Sequence, residues 1–135
     1  MTRTGLEING HPLPAALVDA VTAGRWRAPN RWAGWRAFGG RPSEVHLYGT
    51  VEDLERENRG WPAIAATVFP GAPDARHPPG DLDPERSVVI GDRGPDRPLA
   101  LDLRTDPPTV VRFRDHPRPG WSVVATSVEE LLRRW

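Results

Sequence analysis

The chain has 135 residues with 18 basic and 18 acidic side chains, a net charge of zero and 38% hydrophobic residues, which suits one domain with a single ordinary core. It has no cysteine, which excludes a disulfide framework, thiolate metal ligation and a cysteine nucleophile. Zero net charge also removes the long-range attraction by which nucleic-acid binders gather phosphates.

From the N-terminus, Arg3, Glu7, Asn9, Pro12, Pro14 and Asp19 interrupt any signal-peptide core of about 7–15 apolar residues. The longest apolar run, Ala63 to Phe69, is far short of the roughly 20 residues of a membrane span. The expectation is therefore a soluble, cytoplasmic protein. Leu13, Ala16, Leu17, Ala20 and Val21 follow helical spacing, with Pro14 at the start and Gly24 past the end, and predict a helix over 14–23. Arg25 to Arg41 holds five Arg and three Trp without an acid, and Asn30 and Gly39-Gly40 bracket a short helix from Arg31 to Phe38. Val45 to Tyr48 reads as a strand. Thr50, with Asp53 in the first turn, caps a helix over 51–58 that ends at Gly60. Trp61 to Phe69 fits both a helix and a buried strand, and its spacing favours helix.

Pro70 to Pro84 is rich in Pro and poor in apolar groups, which predicts a long surface loop. Ser87 to Ile90, Leu99 to Arg104, Thr109 to Phe113 and Trp121 to Ala125 are short β-rich runs separated by Gly, Pro and Asp, as in an antiparallel meander. Alternation puts Leu99, Leu101 and Leu103 on one face, the core, and Ala100, Asp102 and Arg104 on the other, which is either covered or wet. A last helix follows Thr126 or Ser127, paired with Glu129 or Glu130 in a capping box, and Val128, Leu131, Leu132 and Trp135 form its apolar stripe. The fold class expected is α+β, one domain over 1–135, with a curved, mostly antiparallel sheet packed against N- and C-terminal helices.

Catalytic and metal chemistry find little support. His11, His46, His77 and His116 are widely spaced, and none has a second His at the helical spacing of a metal site. No Ser stands in a G-x-S-x-G context. Ile90 to Asp96 has two glycines but lacks the Lys and Ser/Thr of a phosphate loop, so a hairpin connection is the better reading. Asp81, Asp83 and Glu85 resemble half a calcium loop, yet Pro84 and Arg86 displace the remaining ligands. No cofactor, no metal and no enzyme activity are expected. Trp26, Trp32 and Trp35 with the neighbouring arginines offer stacking platforms for single-stranded bases. Spacing of Trp32, Trp35 and Phe38 at i, i+3 and i+6 fits core packing better.

Several segments in fixed order resemble the SUKH superfamily, in particular its bacterial Smi/Knr-type domains. They are Gly24-Arg25-Trp26-Arg27-Ala28-Pro29, Leu47-Tyr48, Pro79 to Arg86, Val89-Ile90-Gly91-Asp92, Pro98 to Arg104, Pro107 to Val111, and Trp121 leading to the last helix. The chain departs from that pattern at Leu103, where an aromatic residue is common, and at Pro95 in the hairpin turn. The resemblance implies a curved antiparallel sheet packed on helices. It also implies a protein-binding role: many bacterial members act as immunity proteins that neutralise toxin domains, often nucleases, and fungal relatives are regulatory scaffolds. On that reading, Asp81, Asp83, Asp92, Asp96 and Asp102 are the expected contacts to a basic groove on a toxin partner, with Trp32 and Tyr48 as anchors if exposed. A regulatory scaffold with another partner, or a single-strand nucleic-acid binder through 25–41, are the alternatives.

Overall fold

A computed structural model describes residues 5–27, 45–94, 96–115 and 118–134. The expected helix from Arg31 to Phe38, its cap Asn30, and Trp32, Trp35, Pro95, His116 and Trp135 lie outside the described residues.

The chain opens with a hairpin of β1 (Glu7–Ile8) and β2 (His11–Pro12). Its two-residue turn places Asn9 at φ 53° and Gly10 at φ 82°, both in the left-handed region that favours Asn and Gly. This hairpin is not among the expected elements, although Asn-Gly is its usual signature. Helix α1 (Ala15–Thr22) follows, with Pro14 at the cap position and Leu17, Ala20 and Val21 buried. Strand β3 (His46–Leu47) leads into α2 (Val51–Asn58), where the Thr50 hydroxyl accepts the Asp53 N–H at 3.1 Å as expected. Trp61–Val68 is helix α3, so the ambiguous segment resolves as helical, with Pro62 in the first turn where it breaks no hydrogen bond.

The Pro-rich stretch 70–84 is more ordered than a surface loop. Within it β4 (Pro79–Gly80) pairs antiparallel with a later strand, and a 3-10 turn (Pro84–Arg86) is capped by the Asp83 carboxylate accepting from the Glu85 N–H. Gly80 is buried at φ 83°, and a Cβ there would lie 2.2 Å from the Ala72 carbonyl oxygen, so no other residue fits. Low hydrophobicity hid this pairing because backbone bonds hold it, not an apolar face.

Strands β5 (Ser87–Asp92), β6 (Pro98–Asp102), β7 (Thr109–Arg114) and β8 (Gly120–Ala125) form the expected meander, and the full sheet has the order β3-β5-β6-β7-β8-β4. Every β6 residue is buried, so both faces of the sheet are covered at its centre. Helix α4 (Val128–Arg133) closes the described chain. Helices α2 and α3 pack on β5, while α4 packs on β7, β8 and α1. The fold is α+β, with an open antiparallel sheet of six strands beside the two-stranded hairpin.

Two rows of cross-strand neighbours define one face: Val89, Ala100, Val111 and Val123, then Asp92, Pro98, Phe113 and Trp121. On that face Trp121 meets Trp61 and Phe113 edge-on at 6.2 and 5.4 Å, and Phe69 stacks on Trp61 at 6.1 Å. These rings pin α3 to the sheet. The other face carries Val88, Leu101, Val110 and Ala125, then Gly91, Leu99, Arg112 and Ser122.

At the start of α4, Ser127 accepts the Glu130 N–H at 3.1 Å, while the Glu130 carboxylate returns to the N–H and hydroxyl of Thr126, one residue earlier than a capping box requires. Hydrogen bonds from Thr126, and then the Arg134 charge, hold the Glu130 carboxyl below the usual glutamate range. Stability from this contact is therefore present above the unfolded-state value and is lost as pH falls through the folded-state value. A carboxyl carbon-13 titration should give Glu130 a midpoint below that of an unstructured glutamate, and Thr126→Ala should move it upward; an ordinary midpoint in the parent chain would refute the contact.

Candidate functional site

The five expected contact carboxylates do not form one patch. Ser87 opposes Asp102 and Asp92 opposes Pro98, so Asp81, Asp83 and Asp102 gather at one end of β5 and β6, and Asp92 and Asp96 at the other. Five residues of strand, about 17 Å, separate the groups.

At the first end the charge is already compensated. Arg104 donates from Nε and Nη2 to the two Asp102 oxygens at 3.0 Å each, and from Nη1 to Asp81 Oδ2 at 3.2 Å. It also holds the Asp81 carbonyl at 3.1 Å, which ties the crossover after β4 to the end of β6. The expected strand to Arg104 stops at Asp102 because the Arg104 N–H turns back onto the Asp102 carboxylate at 3.0 Å. Asp102 is only 2% exposed, so it is a structural ion-pair partner and not a surface contact. Alternation from the sequence could not reveal that the polar face of β6 is covered. Asp83 remains half-buried and caps its turn.

At the second end Asp92 Oδ2 accepts the Tyr48 hydroxyl at 2.9 Å, and Oδ1 accepts the Gly94 N–H at 3.1 Å. Tyr48 is 6% exposed, so the condition for an anchor is not met. Its ring lies edge-on to His46 at 5.5 Å, and burial, then the Asp92 carboxylate, pushes its phenol above the usual tyrosine range. Asp92 and Gly94, at φ 125°, belong to the expected hairpin connection, with the Arg93 N–H on the Arg97 carbonyl at 2.9 Å. Asp96 alone of the five is exposed.

The same end carries a cluster that the sequence reading missed. Leu99 opposes Arg112 and Gly91 opposes Leu99, so Arg112 lies on the face away from Trp121. Two residues further along each strand, alternation brings Arg93, Arg97 and Arg114 to that same face. The four span about 7 Å along the strands and about 10 Å across them at the backbone. Arg114 pairs with Asp74 at 3.5 Å, and Asp74 also faces His77 at 3.5 Å. Arg93, Arg97 and Arg112 have no carboxylate at ion-pair distance among the described residues. The Nε atoms of Arg93 and Arg114 are buried without a hydrogen-bond partner. Burial, then the charges of Arg112 and Arg97, lowers the Arg93 pKa from the usual arginine value, and burial, then Arg114, lowers that of Arg112. The alternation Arg112-Phe113-Arg114 was visible in the sequence, but the register that adds Arg93 and Arg97 was not.

His11 Nε2 lies 2.7 Å from the Glu85 carbonyl, which can only accept, so that nitrogen carries the proton. Among the described residues no group of three His, Asp or Glu converges on a metal-sized site, and no helix is long and apolar enough to cross a membrane. A depression of about 290 Å³ lies between Ala72–Arg76 and Arg118-Pro119. No protein-family model, no curated protein and no solved structure matches the chain.

Proposed function

We propose that this chain is a non-enzymatic protein-binding domain of the SUKH type, acting as an immunity protein that occludes a toxin domain. What supports the reading is the order of its motif segments along an antiparallel meander flanked by helices, the kind of fold that the resemblance implies. The binding surface is formed by side chains at the ends of rigid strands, which present charge with little ordering cost. With Asp102 and Tyr48 internal and Asp81 compensated by Arg104, the carboxylates free to meet a basic partner are Asp96, Asp83 and the exposed part of Asp92. Such contacts steer association more than they hold the complex.

The test is recovery of the tagged full chain from its own cells. A secreted multidomain protein with a C-terminal toxin domain should co-purify, and added chain should abolish that toxin's activity at equal stoichiometry. Asp83→Asn with Asp96→Asn keeps the turn cap and should slow association several-fold at low salt and hardly at all at high salt. A resident assembly in place of a toxin, with no inhibition, would replace immunity by a regulatory role; hydrolysis of a small substrate by the pure chain would overturn both.

A further inference from the structure

Four arginines share one end of the sheet face, and among the described residues only Arg114 has a carboxylate at ion-pair distance. Asp74 faces Arg114 and His77 and none of the other three arginines, and Asp92 points to the opposite face, toward Tyr48. The segment 25–43 holds five Arg and no acid. Partly buried guanidiniums repel one another and carry a desolvation cost, which a protein retains where an anion is to be met. Arginine forks are matched to planar carboxylates by paired N–H donors, and Arg97 is exposed at the edge of the cluster while Arg93 and Arg112 are half-buried.

We propose that the face formed by Arg93, Arg97, Arg112 and Arg114 docks an acidic segment of the protein partner, with two or three of its carboxylates bridging the guanidiniums. This rests on the reading of the chain as a protein-binding domain and names the chemistry of its partner. A polypeptide is favoured over a nucleic acid because the cluster is compact, about 7 Å by 10 Å at the backbone, whereas a phosphate backbone needs an extended basic track. The side chains of an extended acidic peptide recur at spacings close to that of the two arginine rows.

The probe is a fluorescein-labelled hexaglutamate peptide, compared with hexaglutamine and with a single-stranded oligothymidylate of equal charge. Hexaglutamate should bind and shift the Nε–Hε resonances of Arg93, Arg112 and Arg114, and hexaglutamine should not. Arg93→Gln with Arg112→Gln should weaken hexaglutamate about tenfold or more while melting no lower than the parent, because it relieves repulsion. If the double variant is poorly folded, Arg112→Lys keeps the charge but loses the fork, and it should weaken the peptide while leaving the fold intact. No shift with hexaglutamate, or tighter binding of the oligothymidylate, overturns the proposal. A toxin partner bound unweakened by the double variant overturns the docking face and leaves the immunity role standing. Hexaglutamate capture by a chain that retrieves no protein from its cells supports the face and removes the role.

Discussion

Trp121→Ala should destabilise the chain by about 3–5 kcal/mol, the range for deleting a large buried aromatic group. The indole is completely buried, meets Trp61 and Phe113 edge-on, and donates its N–H to the Phe69 carbonyl at 3.0 Å. Removing it therefore empties the centre of the ring cluster and strips the donor from the carbonyl just past α3. For a domain of this size the melting temperature should fall by about 10–20 °C. Trp121→Phe keeps most of the packing and loses the N–H, so it should fall between, at about 1–2 kcal/mol. Chemical denaturation of the three chains settles the order. A Trp121→Ala chain within 1 kcal/mol of the parent, on the scale of ordinary surface substitutions, would mean that α3 is not pinned by these rings.

Asn58 should matter almost as much, through polarity and not volume. Its side chain is fully buried and uses three bonds: Nδ2 donates to the Leu54 and Val89 carbonyls at 2.8 Å each, and Oδ1 accepts the Val89 N–H at 2.9 Å. The amide thus bonds both backbone groups of one β5 residue, much as a neighbouring strand would. Its own carbonyl accepts from Asn9 at 3.0 Å and so secures the N-terminal hairpin. Asn58→Leu leaves the Val89 N–H and C=O buried and unpaired, and should cost about 2–5 kcal/mol. Asn58→Asp adds a signature that loss of packing cannot give. Burial and two facing carbonyls disfavour its anion, so the carboxyl introduced has a raised folded-state pKa. Stability of that variant should be greatest below the unfolded-state value and decline as pH rises through the folded-state one. A flat profile between pH 4 and 7, about the span in which a buried carboxyl titrates, would show that the site is wet.

Caps and long periodic runs were legible in the sequence because each is a local contract between neighbours. Thr50 with Asp53, Ser127 with Glu130 and the four strands from Ser87 to Ala125 all appear where spacing and propensity put them. Elements of two residues carry no period, which is why β1, β2 and β4 were missed despite Asn9-Gly10 and Gly80. The candidate site was less legible still. The five aspartates separate into a compensated end and an exposed one, because pairing register decides which residues meet. Asp102 was misjudged for the same reason: alternation gives the side of the strand it occupies and not what lies over that side. The arginine face depends wholly on register across three strands.

Both outermost strands of the six-stranded sheet, β3 and β4, are only two residues long, and β4 begins with a proline that has no N–H to offer. Beyond β3, the exposed flank of β5 is closed at Val89 by a side chain. Among the described residues the two outermost strands therefore offer little open backbone on which a foreign strand could be templated, which works against edge-to-edge aggregation and domain exchange. It also leaves a partner that would add a strand only two residues to pair with on either outermost strand.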